Sequence, residues 1–199
     1  TIAKSLAKQL NYIHLDTGAM YRSTAYKAVC SQISLEDENA LVEMLKNTDI
    51  KLTPEGKVFL DGEDVSSSIR TDQISLAASS VSRHPLVRSE LVARQQKMAE
   101  KKGFIMDGRD IGTVVLKDAE VKIFMTASAE ARAKRRYEQD KKLGLPTTDV
   151  ETIAKEIAQR DYQDTHRAAS PLVKAEDAVE IDTSDMTIEE VVNAILALC

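Results

Sequence analysis

The sequence predicts an α/β protein, a parallel sheet flanked by helices with an antiparallel lobe inserted into it. Three observations predict this class. Short apolar segments alternate with helical stripes along most of the chain, the rhythm of strand–helix units. Two of those segments run straight into charged or polar residues, as parallel strands do at the carboxyl ends where open α/β sheets hold ligands. One stretch, Asp49–Gly62, instead repeats with period two around Pro54-Glu55-Gly56, which is a hairpin signal.

The opening, Thr1 to Leu10, has apolar residues at positions 2, 3, 6, 7 and 10 and so reads as a helix. Tyr12 to Leu15 is a short strand closed by Asp16-Thr17-Gly18, and Gly18 to Val29 is the next helix. Leu35 to Lys46 is an amphipathic helix whose first turn carries Glu36, Asp37 and Glu38, a favourable match to its dipole. After the hairpin over 49–61, Ser66 to Ser68 is a polar connector and Ile69 to Ser80 a helix. His84-Pro85 opens a long helix to about Lys102, since proline is tolerated in a first turn. Gly103 to Gly112, GFIMDGRDIG, is an apolar strand ending in two acids around Gly108 and Arg109. Glu120 to Thr126 is a further strand, followed by a helix capped by Ser128 and running to Lys142. Val150 to His166 is another long helix. Ala178 to Asp182 is the last strand, and Thr187 to Leu196 closes the chain behind a Thr187–Glu190 capping box.

Composition narrows the function. A chain of 199 residues that is 43% hydrophobic can bury a proper core, and no run approaches the roughly 18 apolar residues of a membrane span. A formal charge of −5 disfavours binding a nucleic acid polymer by charge. The basic residues nevertheless cluster, in Arg132 to Arg136 and Arg160 to Arg167, which suits small anionic ligands. His14, His84 and His166 are scattered and argue against a preformed zinc site, so no metal ligands are assigned. Cys30 and Cys199 have no redox or metal spacing, which predicts a reduced, cytoplasmic setting, and nothing in the sequence demands more than a monomer.

Charged strand ends on a parallel sheet suit phosphate-ester chemistry, where arginine forks hold phosphate oxygens bidentately. Each local feature also has a structural explanation. Asp-Gly is a common strand-ending turn; Asp16 and Thr17 could be a helix-capping pair. Ser79 lies in a small-residue helix where tight packing would explain it. Arg132 to Arg136 could be a solvated face, and Asp164 could pair with Arg160 or Arg167 at helical spacing.

Three segments together carry a resemblance. Asp16-Thr17-Gly18-Ala19-Met20-Tyr21-Arg22, then Gly108-Arg109-Asp110-Ile111-Gly112-Thr113-Val114-Val115, then Arg160-Asp161 with Asp164, Arg167 and Ser170-Pro171, resemble the bacterial cytidylate kinases in order and spacing, over essentially the whole chain. The resemblance implies a P-loop nucleoside-monophosphate kinase fold, with an inserted monophosphate-binding lobe and a helical lid. Its implied divisions are core over 1–34, 103–131 and 168–199, lobe over 35–102 and lid over 132–167. It implies transfer of the γ-phosphoryl group of ATP to CMP or dCMP with Mg²⁺. Thr17, Arg22 and Arg109 would hold the CMP phosphate; Ser79, Arg88 and Asp110 would read the cytosine edge. Arg160, Asp164 and Arg167 would contact sugar and phosphate. Arg135, in the segment that resembles the lid's first helix, would face the ATP phosphates, and Thr1 would also bind ATP. Asp16 and Asp107 would order the metal's water shell or the arginines around it, placing them with Arg109 and Arg160 in the catalytic set.

The sequence departs from the family in one respect. No G-x-x-x-x-G-K-[ST] loop occurs in it, whereas the family places that phosphate cradle immediately before the helix that begins here at Thr1. The expectation is a longer protein whose first strand and loop precede Thr1. Two further readings stay open at this level, a kinase of the same fold for UMP or shikimate and a nucleotide-binding module without catalysis.

Overall fold

The computed structural model describes residues 1–100, 102–144 and 146–199. Contacts divide the chain into two compact units, Thr1 with Ala3–Lys117 and Ile2 with Asp118–Cys199.

In the first unit, α1 (Ile2–Leu10) ends at Asn11, whose left-handed backbone (φ 55°) turns the chain into β1 (Ile13–Asp16). Helix α2 (Thr17–Cys30) follows without a spacer because Asp16 serves as both last strand residue and N-cap, accepting the Ala19 N–H at 3.0 Å. Helix α3 (Glu38–Lys46) starts three residues later than the sequence pattern suggests. Asp37 takes the Ala40 N–H, leaving Leu35 and Glu36 in the preceding turn.

The lobe that follows contains three antiparallel strands, one more than the hairpin expected: β2 (Ile50–Leu52), β3 (Val58–Leu60) and β4 (Glu63–Asp64). The extra strand is explained by Asp61-Gly62, both at positive φ (51° and 88°), the backbone that a two-residue hairpin turn requires. The Asp61 carboxylate also clamps the turn, accepting from Lys27 Nζ at 2.6 Å and from the Asp49 N–H at 2.8 Å. The Lys27 hydrogen bond is the main reason its carboxyl titrates below the usual range.

The helix expected over 69–80 is broken at Thr71. Its extended backbone ends a short 3₁₀ turn at Ser68–Arg70 and its hydroxyl caps α4 (Asp72–Val81). Helix α5 (Pro85–Ala99) has proline in its first turn and ends before Lys102. Strand β5 (Phe104–Asp107) pairs in parallel with β1, placing Asp107 directly beside Asp16. A single π-helical turn at Ile111–Val115 follows, a feature with no periodicity signal in so short a segment. The core of this unit gathers Met20, Leu41, Leu45, Ile69, Val81, Val87 and Leu91, all fully buried. Each such side chain contributes about 1.5–3 kcal/mol of hydrophobic stabilisation.

In the second unit, β6 (Ile123–Thr126) pairs in parallel with β7 (Val179–Asp182). The parallel pairing predicted from the sequence is thus present as two strand pairs, one in each unit. Helices α6 (Ala129–Leu143) and α7 (Val150–His166) pack together, capped by Ser128 and Asp149. Helix α8 (Ile188–Leu196) carries the reciprocal Thr187–Glu190 capping box and buries Val191, Val192 and Ile195. Cys30 and Cys199 are exposed free thiols. Among the described residues no helix is long and apolar enough to cross a membrane.

Candidate functional site

The first unit brings most of the expected residues to the carboxyl ends of β1 and β5. Asp16 Oδ1 caps α2 by accepting the Ala19 N–H at 3.0 Å, while Asp16 Oδ2 accepts from Arg22 at 2.7 Å. Thr17 is buried, and its hydroxyl donates to the Asp107 carbonyl at 2.8 Å, fastening the start of α2 to the end of β5. The Asp107 carboxylate is half-exposed and hydrogen-bonds His14 Nε2.

Gly108 explains the tightness of this junction. A Cβ added there would stand 2.5 Å from Thr17 Oγ1 and 2.8 Å from Ile111 Cδ1, and the Thr17 hydroxyl, buried and bonded to the Asp107 carbonyl, cannot retreat without losing that bond. Gly108→Ala is therefore expected to displace Thr17 and the strand end, lowering kcat/KM about 100-fold, the scale that a 1 Å misplacement in a site can cost. Steady-state kinetics with a melting curve as a folding control checks this.

Behind this junction lies a buried ion pair, Arg88 on α5 with Asp110 at the head of the π turn, both side chains under a tenth exposed. Arg88 also donates to the Ser82 carbonyl at 3.1 Å and lies over the Tyr21 ring, 5.3 Å from its centre. Asp110 is held by its own backbone, which accepts from the Val114 N–H at 2.9 Å. The amide of Gln96, also on α5, donates to the Val114 and Val115 carbonyls and ties the turn to the helix that carries Arg88. Two donors in this region are buried without an acceptor among the described residues, Arg88 Nε and Arg22 Nε. Buried N–H groups are normally satisfied, so these two are candidate donors to a bound group, in a unit where the Ser23 hydroxyl and the Gln95 amide also have buried atoms without a partner among the described residues. Ser79 is half-buried on α4, and Arg109 is half-buried between Gly108 and Asp110. Thr1 is exposed at the N-cap of α1.

His14 and Asp16 also line a cleft bounded by Lys4, Lys57 and Arg70, a positively charged surround within the same unit. Among the described residues no group of three or more His, Cys, Asp or Glu side chains is arranged to hold a metal ion.

In the second unit, Arg132 forks onto Asp161 through both terminal nitrogens and donates from Nε to the Ala127 carbonyl at 3.1 Å. Arg135 is bound to the carbonyls of Thr183, Ser184 and Met186 after β7. Arg132 and Arg135 are therefore engaged with other elements, while Lys134 and Arg136 pair within α6 with Glu130 and Asp140. The side chains of Asp164 and Arg167 are both under a tenth exposed and pair at 3.5 Å, three residues apart, with Arg167 Nε donating to the Ser170 carbonyl at 2.8 Å. Arg160 is exposed on α7. Four residues carry no role in the sequence reading: His14, Tyr21 and Asp161, the last two within the quoted motifs, together with Gln96. The pairing of Asp161 with Arg132 is not encoded by any spacing. For His14 a signal was present, since residues two apart on a strand share a face.

Comparison with known proteins extends these observations. A family model described as Cytidylate kinase matches residues 1–199. The chain is 51% identical to the cytidylate kinase of Geobacillus sp. (strain WCH70), covering 100% of this chain and 89% of that protein. It is 53% identical to that of Bacillus subtilis (strain 168), covering 98% and 88%. The corresponding protein of Ligilactobacillus salivarius (strain UCC118) is 51% identical over 98% and 88%.

Proposed function

The chain belongs to the cytidylate kinase family, whose reaction moves the γ-phosphoryl group of ATP to CMP or dCMP, and we propose the following division of labour among its residues. An oxygen of the CMP phosphate attacks the γ-phosphorus, the bond to the β–γ bridging oxygen breaks, and CDP and ADP result. The protein forms no covalent bond; its work is positioning and charge neutralisation.

In the first unit, Thr17, Arg22 and Arg109 hold the acceptor phosphate. Arg22 is pre-oriented by Asp16, so its fork is set before the nucleotide arrives. Ser79, Arg88 and Asp110 read the base. Cytosine presents an amino donor beside a ring-nitrogen acceptor and a carbonyl, and an acid next to an arginine complements that edge. The observation that carries this reading is the buried Arg88–Asp110 pair with Arg88 Nε left over. In the second unit, Arg160, Asp164 and Arg167 act on sugar and phosphate, and Arg160 also neutralises transferred charge; in the first unit Arg109 has that second task as well. Arg135 and Thr1 serve ATP, Arg135 through its placement of the loop after β7.

ATP enters as its Mg²⁺ complex. The donor set fits that ion, which keeps several waters and takes one or two carboxylates alongside phosphate oxygens rather than a protein cage. Asp16 and Asp107, neighbours at the ends of β1 and β5, are the carboxylates that would hold its water shell. The ion supplies charge neutralisation on the phosphates.

A coupled ADP-release assay over CMP, dCMP, UMP and shikimate tests the reading. CMP and dCMP are expected to be phosphorylated with kcat/KM at least about 100-fold above UMP, the scale on which a hydrogen-bonding pocket rejects a mismatched edge. Equal turnover of UMP would overturn the base-reading assignment, and turnover of shikimate alone would overturn the acceptor.

A further inference from the structure

The division above leaves out His14, whose place in the sheet gives it a specific task. Parallel pairing sets His14 opposite Ile105 and Asp16 opposite Asp107. Because side chains alternate along a strand, these four positions share one face. Two carboxylates directly opposite one another repel, and each has been given its own partner. Asp16 is answered by Arg22 at 2.7 Å. Asp107 is answered diagonally by His14, whose Nε2 bonds Oδ1. Among the described residues His14 is the partner of that carboxylate; the cleft cations Lys57 and Arg70 are engaged elsewhere, with Asp64 and the Ser66 carbonyl.

The burial of the two side chains shows which one orients the other. The imidazole is 10% exposed and the carboxylate 55%. A ring wedged into the sheet face is fixed by packing, whereas an exposed aspartate alone would sample several rotamers. A carboxylate oxygen only accepts, so Nε2 donates, and it can do so whether the ring is neutral or charged.

We propose that His14 is a positioning residue for phosphoryl transfer, holding one oxygen of Asp107 so that the other faces the metal's water shell. The inference rests on the reading of Asp107 given above. Groups that orient the ligands of a metal centre are typically worth about 10- to 100-fold in affinity or activity.

The test is a mutant cycle on the whole enzyme with His14→Phe, which keeps a ring but no donor, His14→Gln, which restores a donor at nearly the same reach, Asp107→Asn, and the His14→Phe/Asp107→Asn double variant. His14→Phe is expected to lower kcat about tenfold with KM for CMP unchanged, and His14→Gln to recover most of the loss. The double variant is expected to be no slower than Asp107→Asn, because His14 acts through Asp107. Independently of activity, the His14 Nε2–H proton should give a slowly exchanging downfield NMR signal in nucleotide-free enzyme, and Asp107→Asn should remove it. Multiplying losses in the double variant, or full kcat in His14→Phe beside a slow Asp107→Asn, would overturn the inference and leave Asp107's role standing. Full kcat in Asp107→Asn would overturn the reading of Asp107 and the inference with it.

Discussion

Arg109→Ala is expected to lower kcat with CMP about 1,000-fold while the protein folds normally. An arginine that neutralises charge on a transferring phosphoryl group is worth about 10³ to 10⁵ in rate, and alanine puts nothing in its place. The fold should tolerate the change because Arg109 is only half-buried and stands just beyond β5, outside the strand pairing. Arg109→Lys should recover little, since an ammonium is a point charge and cannot hold two phosphate oxygens in one plane. Single-turnover phosphoryl transfer, paired with circular dichroism melting, separates the two quantities. A near-normal rate in a folded Arg109→Ala protein would remove the residue from the reaction.

Asp110→Asn carries the second large effect, on both stability and selectivity. Arg88 and Asp110 are each under a tenth exposed, so neutralising the acid leaves a guanidinium facing little solvent. Removing one member of a buried ion pair costs about 3–5 kcal/mol when no new partner is found, and asparagine, which still accepts a hydrogen bond, should fall toward the lower end. The Ser82 carbonyl and the Tyr21 ring remain to hold Arg88 in place, so the protein should fold with a lowered melting temperature. Selectivity changes for a different reason. A carboxylate can only accept, and so favours the cytosine amino group over a uracil carbonyl. An amide can turn and donate, so the preference collapses. The ratio of kcat/KM for CMP over UMP should fall at least about tenfold, one well-placed hydrogen bond. Asp110→Asn with an unchanged ratio would detach Asp110 from base recognition.

Much of this site is legible in the sequence because its residues stand where local rules are strong. Asp16 ends an apolar run and precedes a helical stripe, which identifies a strand end and a cap together. The Thr187–Glu190 box and Pro85 fix helix starts for equally local reasons. Boundaries fail where a side chain claims a backbone group ahead of the periodic pattern, as Asp37 and Thr71 do. The third strand of the lobe leaves no mark in the sequence because β4 has only two residues, too few for any alternation. The Arg88–Asp110 pair spans 22 residues and depends on how α5 meets the π turn, which no spacing rule encodes. The same is true of the Arg132–Asp161 fork, 29 residues apart, and of His14 with Asp107, 93 apart. For such pairs the sequence supplies residue types and family likeness, and the packing of elements supplies the contact.

A crystal structure of the enzyme with CMP bound is expected to place the nucleotide at the junction of β1, α2, β5 and α5. The phosphate should lie against Arg22 and Arg109 with Thr17 alongside, the cytosine amino group within hydrogen-bonding distance of the Asp110 carboxylate, and the Arg88 guanidinium on the ring nitrogen or carbonyl. CMP bound elsewhere, or with its base turned away from Arg88 and Asp110, would contradict that placement.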